Sequence, residues 1–274
     1  MKSWTGLREA SKNGMMTEAN EKTQSDDLHL VFLHGFLGEG ADWKQTVGAL
    51  SPSSRFRCHC PDYVEDPLLG PLNAPLESWG RAFGRWMRER QIPPERTLLV
   101  GYSQGGRLAL QALESSGLPL RGVVLLSVNP GFPEGDLEAR AARVGNDEAW
   151  ARRFQEEPWE ATLKAWNRQG VFEGSSVEPC RERGPGDELL AAASLRAWSL
   201  SHQQDFRGFL RRCPEKIYWM TGEKDVKFVG LWKELQKDIP SLRGEILPSA
   251  GHRILFDQPR ALAERLALVL KMQF

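Results

Sequence analysis

Three residues of this chain are of the types that make an activated oxygen base or nucleophile: Ser103, Asp225 and His252, in that order. Ser103 is the centre of Gly101-Tyr102-Ser103-Gln104-Gly105, a Gly-x-Ser-x-Gly pentapeptide. A serine hydroxyl is weakly reactive until a histidine takes its proton, and a carboxylate must hold that histidine in the right tautomer. His252 closes Pro248-Ser249-Ala250-Gly251-His252, and Asp225 closes Thr221-Gly222-Glu223-Lys224-Asp225. Glu223 is a rival acid, but Asp225 lies further along the loop and has more reach toward the histidine. His29, His59 and His202 lack a Gly-His loop directly after a strand. His34 opens His34-Gly35-Phe36-Leu37-Gly38 and reads as a brace for that loop. The loop's chemical contribution is the backbone N–H of Phe36, paired with that of Gln104 to hold a developing oxyanion.

These residues need elements that deliver them to one place. Thr97 to Val100 is a short apolar run, and the stretch after Ser103 has helical spacing. A sharp strand-to-helix turn strains the serine's dihedrals, crowds its neighbours into glycine and aims the helix N-terminus at the hydroxyl. Strand patterns also cover 28–33, 55–60, 122–128, 216–220 and 245–247. Asp42-Trp43 begins a short helix, and helical spacing recurs over 77–90 and 259–271. Trp79, Phe83 and Trp86 on the second helix read as core. Strand–helix alternation predicts an α/β fold, a mostly parallel sheet flanked by helices, with ligands bound past the carboxyl ends of the strands. Each candidate catalytic residue follows such an end. From Gly131 to Arg212 no strand pattern appears, and the segment is rich in Arg, Glu, Ala and Trp. It is expected to be a helical cap inserted into a core formed by 28–130 and 213–274.

Bulk properties narrow the partners. Lysine plus arginine equals aspartate plus glutamate, 36 of each in 274 residues, so no global field favours nucleic acid or a membrane surface. No apolar run approaches the roughly 20 residues of a membrane span. Residues 1–27 are polar and lack the apolar stretch of a signal peptide, which predicts a disordered leader and a cytoplasmic protein. Cys58, Cys60, Cys180 and Cys213 are few and scattered, and Cys58-His59-Cys60 is too tight for a zinc pair, so no metal is expected. Arg107 lies one helical turn beyond Ser103 on the same face. Two readings stand open: an ordinary surface arginine, or a guanidinium gripping a substrate carboxylate.

Several stretches resemble one family, the α/β-hydrolase-fold 2-succinyl-6-hydroxy-2,4-cyclohexadiene-1-carboxylate synthases of menaquinone biosynthesis. The similarity runs from about Leu28 to the C-terminus. It is carried by Gly101 through Arg107, Leu33 through Gly38, and Thr221-Gly222-Glu223-Lys224-Asp225-Val226-Lys227-Phe228. Its specific part is the cap: Ala141-Ala142-Arg143, Asn146-Asp147, Trp150, Phe154, Trp166 and Val171-Phe172. The resemblance implies Arg107 and Arg143 as carboxylate anchors, with Tyr102, Trp166 and Phe172 lining the pocket. Asn167 stands where a tyrosine is expected in some relatives, and Gln104 where methionine is commoner.

The resemblance further implies a carbon–oxygen lyase that needs no cofactor. Its small anionic substrate, 2-succinyl-5-enolpyruvyl-6-hydroxy-3-cyclohexene-1-carboxylate, loses pyruvate with Ser103, activated by His252, as base. The competing reading is a serine-triad hydrolase of an anionic ester, thioester or carbon–carbon bond. The third is a non-catalytic ligand-binding protein on the same fold.

Overall fold

The computed structural model describes residues 27–50, 56–182 and 184–274. The expected leader therefore lies, apart from Asp27, outside the described residues. Among the described residues six strands form, most of them on short runs of apolar residues: β1 (Leu28–Leu33), β2 (Phe56–His59), β3 (Thr97–Tyr102), β4 (Gly122–Leu126), β5 (Ile217–Gly222) and β6 (Arg243–Leu247). They make one sheet of order β2-β1-β3-β4-β5-β6 in which every neighbouring pair is parallel. Every residue of β3 and β4 is buried, as a sheet covered on both faces requires.

The period-two alternation of each strand divides the core. Val31, Leu33, Leu99, Val123 and Leu125 face one layer, whereas Leu30, Phe32, Leu98, Val100, Val124 and Leu126 face the other. Helix α1 (Lys44–Ala49) continues a 3₁₀ turn at Gly40–Trp43. Helix α2 (Leu76–Glu89) buries Trp79, Phe83, Trp86 and Met87 in the first layer beside α3 (Gln104–Ser115). The aromatics of α2 are thus core, as their spacing predicts.

Between β4 and β5 the chain leaves the sheet. This segment contains α4 (Leu137–Glu156), α5 (Trp159–Asn167), α6 (Asp187–Ala197) and α7 (Arg207–Arg212). Asp136 caps α4 by accepting the Ala139 N–H at 3.0 Å. Ala151, Phe154, Trp159, Ala191, Ala192 and Leu195 form a separate small core, and Phe36 and Leu37 pack against it. The insertion is therefore seated on the loop that follows β1. One part departs from expectation: no described residue of 173–186 is in α-helix.

The chain closes with α8 (Val226–Asp238), the short α9 (Ile254–Asp257) and α10 (Pro259–Met272), whose Leu262, Leu266 and Leu270 cover the second layer. Strand β6 starts two residues before the expected Glu245, just as β4 ends two residues before and β5 two residues beyond the expected positions. Arg243 and Gly244 give no apolar signal and pair only because Tyr218 and Trp219 lie alongside.

Candidate active site

Ser103 sits between β3 and α3 with φ 51° and ψ −111°, a strained conformation for a residue with a side chain. The surrounding glycines explain how the turn closes. A Cβ at Gly101 would stand 2.5 Å from Gly106 Cα, one at Gly105 2.2 Å from the His34 carbonyl oxygen, and one at Gly106 2.1 Å from Val128 Cγ2. Backbone must pass backbone here. The Ser103 N–H donates to the Leu126 carbonyl at 2.9 Å, which ties the elbow to β4.

The same close approach presses α3 against the end of β1. The first N–H groups of α3, that of Gln104 among them, have no intrahelical acceptor and face developing negative charge favourably. Phe36 belongs to the loop beside them. His34 braces that loop: its Nδ1 lies 2.9 Å from the Gly35 carbonyl, and its own carbonyl accepts Tyr63 Oη–H at 2.7 Å. Burial pushes the His34 pKa down to about 4, so the ring is neutral.

His252 Nδ1 lies 2.7 Å from Asp225 Oδ2, and its Nε2 lies 3.2 Å from Ser103 Oγ. The carboxylate acts as acceptor, so Nδ1 carries the proton and Nε2 presents its lone pair to the serine hydroxyl. His252 and Asp225 are each only 3% exposed. The rings of Phe228, Tyr102 and Phe172 lie 4.8, 5.5 and 5.8 Å from the imidazole. The alternatives fall elsewhere. Glu223 accepts the Ser249 N–H at 2.9 Å, His29 and His59 bond each other at 2.9 Å, and His202 is exposed.

Ser103 lies where two cavities meet, with Phe36 and Trp166 also shared between them. One, of about 70 Å³, is bounded by Tyr102, Asn167, Phe172, Arg181 and Arg253. The other, of about 110 Å³, is bounded by Gln104, Arg107, Arg143, Lys227 and Phe228. All five residues expected to bind substrate border one cavity or the other.

The cations differ in how they are held. Arg107 is no surface residue: it is 7% exposed, and its nitrogens donate to the Trp198 carbonyl at 2.7 Å and Gln203 Oε1 at 3.3 Å. Both acceptors are neutral. Burial, reinforced by the nearby Arg143 charge, lowers its pKa to about 10. Arg143 pairs with Asp147 at 2.8 Å, and Ser199 donates to the same carboxylate oxygen at 2.6 Å. Burial and then the Arg143 charge lower the Lys227 pKa.

In the smaller cavity, Arg181 donates to both Asp42 oxygens at 2.8 and 2.7 Å and to the Leu37 carbonyl at 2.5 Å. Burial still raises the Asp42 pKa, because desolvation there outweighs the attraction of Arg181. Arg253 has its guanidinium 4.1 Å above the Phe172 ring and donates to Asn167 Oδ1 at 2.5 Å. Asn167, the departure noted in the sequence, thus holds Arg253 and donates in turn to Glu178 at 2.8 Å.

Sequence reasoning assigned no role to Lys227, Arg181 or Arg253. Lys227 and Arg253 directly neighbour the loops carrying Asp225 and His252, a signal that was available. Arg181 lies in the irregular stretch, where no periodicity marks it.

The family model for the alpha/beta hydrolase family matches residues 30–265. A Klebsiella pneumoniae 2-succinyl-6-hydroxy-2,4-cyclohexadiene-1-carboxylate synthase is 32% identical over 254 residues, 88% of this chain and 93% of that protein. The Escherichia fergusonii synthase is 33% identical over 256 residues, with the same coverage of both chains. Among solved structures, MenH from S. aureus superposes with TM-score 0.76 at 21% identity, covering 90% of this chain and 94% of that one. A Bacillus anthracis bromoperoxidase gives 0.62 at 17% identity over 89% and 92%, a likeness of fold.

Proposed function

The chain belongs to the 2-succinyl-6-hydroxy-2,4-cyclohexadiene-1-carboxylate synthase family of α/β-hydrolases, and on that premise we propose that it eliminates pyruvate from the enolpyruvyl cyclohexene precursor of that product. Residues 28–130 and 213–274 serve as the catalytic core, and 131–212 as a cap closing over it. The observation that carries this reading is a Ser-His-Asp line set between two cation-lined cavities that meet at the serine. A tricarboxylate needs such walls; a neutral ester does not.

Ser103 Oγ passes its proton to His252 Nε2 and removes the ring proton α to the succinyl ketone. The freed pair forms a ring double bond, the existing double bond shifts by one position, and the carbon–oxygen bond to the enolpyruvyl group breaks. The imidazolium returns a proton to the departing enolate, which becomes pyruvate. Asp225 stabilises the imidazolium in between. The N–H groups of Phe36 and Gln104 hold the ketone oxygen while it carries enolate charge. Arg107 and Arg143 anchor carboxylates, and Tyr102, Trp166 and Phe172 wall the pocket. Every step balances with residues of this chain alone.

The test supplies the enolpyruvyl substrate and follows pyruvate release, with intact-protein mass spectrometry after rapid quench. Pyruvate without a covalent adduct is expected, because a serine acting as base never bonds to substrate. An acyl adduct on Ser103 would transfer the protein to the triad hydrolases.

A further inference from the structure

The charges around Ser103 are unequally cancelled, and the inequality has a direction. Among the described residues, Arg181 is neutralised by two bonds to Asp42 and Arg143 by one to Asp147. Arg107, Lys227 and Arg253 form no ion pair within reach. Arg107 and Lys227 border the larger cavity, and Arg253 borders the smaller. The nearest carboxylates to Arg253, Glu178 and Asp257, are engaged with Asn167 and with the N–H groups of Ser176, Val177 and Gly251.

The proposed substrate distributes its three carboxylates just as unevenly. Seen from the carbon that loses its proton, one arm carries the ketone and a single terminal carboxylate. On the other side lies the ring, bearing one carboxylate on the neighbouring carbon and the enolpyruvyl carboxylate across from it. Ser103 and the oxyanion donors must face the carbon and ketone at the junction. The two ends then diverge into the two cavities.

We infer that Arg253, held by Asn167 above Phe172, is the anchor for the terminal carboxylate of the succinyl arm, and that Lys227 with Arg107 takes the ring end that carries the leaving enolpyruvyl group. Charge matching sets this polarity: in the smaller cavity Arg253, free of an ion pair, meets one carboxylate, and in the larger Arg107 and Lys227, with the Asp147-paired Arg143 beside them, meet two. This inference rests on the elimination reading for the identity of the substrate, but its test reads binding directly.

The probes are 4-oxo-4-phenylbutanoate, a ring ketone with only the succinyl arm, its terminal amide, and pyruvate. Calorimetry on wild type, Arg253→Gln and Lys227→Gln measures each. Arg253→Gln is expected to weaken 4-oxo-4-phenylbutanoate by about ten- to a hundred-fold, the loss of one charge-assisted contact. It should leave the amide and pyruvate nearly unchanged. Lys227→Gln should do the reverse, weakening pyruvate alone. Arg253→Lys should recover part of the lost affinity, which a purely structural role for the loop would not allow. Equal losses on acid and amide, or loss of pyruvate affinity in Arg253→Gln, would overturn the assignment. Absence of pyruvate release from the full substrate, with the binding pattern intact, would instead reject the elimination chemistry and leave the polarity standing.

Discussion

The hydrogen-bonded line Ser103–His252–Asp225 and the cationic walls beside it are built by different parts of the molecule. The line comes from loops after β3, β5 and β6, where each residue is carried by a strand end whose position the sheet dictates. The walls draw Arg143, Trp166, Phe172 and Arg181 from the insertion, and their cations find partners both near, as Arg143 does in Asp147, and far away in sequence, as Arg181 does in Asp42. Arg181 and Arg107 show the consequence. Both border a cavity, Arg107 buried and Arg181 partly so, yet Arg181 is clamped by Asp42, 139 residues distant, while Arg107 meets only neutral oxygens. One arginine is tied into an ion pair; the other has no carboxylate partner among its hydrogen bonds.

The sharpest way to separate line from wall is to remove the line. Ser103→Ala, His252→Ala and Asp225→Asn are each expected to lower turnover by about a thousand-fold or more with the melting temperature little changed. Combined substitutions should add little further, since the three act as a unit. Steady-state pyruvate release and circular dichroism measure both quantities. Near wild-type turnover in Ser103→Ala would dissolve the distinction altogether.

The two arginines should then fail in opposite ways. Arg181→Gln leaves a buried Asp42 unpaired, and denaturant unfolding should show a loss of about 3 kcal/mol or more. Arg107→Ala should instead raise the KM for the anionic substrate about ten- to a hundred-fold, with a smaller stability loss from the stranded Gln203 and Trp198 acceptors. If Arg181→Gln changed only KM and Arg107→Ala only stability, the division of roles would be reversed.

Smaller effects come from pH. Substrate affinity should decline in alkaline solution, as Lys227 loses its proton earlier than an ordinary lysine and Arg107 loses its own near pH 10. Lys227→Gln should remove its share of that decline from a titration of KM. At acid pH the effect moves to the fold. The His34 pKa is depressed from 6.5 to about 4, so the unfolded chain binds the extra proton first. Stability from this group is present above pH 6.5 and declines as pH falls toward 4. An unfolding titration should show a shallower slope in His34→Gln than in wild type, the remainder coming from His29 and His59, whose pKa values burial also lowers.

Much of this was open to reading from the amino acids in order. Gly-x-Ser-x-Gly after an apolar run, Gly-His after another and Asp at the end of a third each mark a strand end. In a parallel sheet all such ends lie on one edge, so spacing alone brings Ser103, Asp225 and His252 together. The choice of Asp225 over Glu223 followed from reach along the loop, and the structure turns Glu223 to Ser249. The brace at His34 and the aromatic core of α2 were legible for the same reason, being local consequences of neighbouring residues.

What tertiary structure alone decided is the state of each charge. Whether Arg107 was a surface residue or a pocket cation could not be read from its helical face, because burial comes from Trp198 and Gln203 across the insertion. The irregular stretch 173–186 has no period to read, yet it delivers Arg181 to Asp42 and Ser175 to the backbone beside His252. Arg253 becomes an unpaired cation beside the serine only because Asn167 and Phe172, some eighty positions earlier, fold over it. Local backbone preference sets where a strand or helix ends. The free energy of a buried charge is set by whatever other segments place within a few ångströms of it, and that depends on the completed fold.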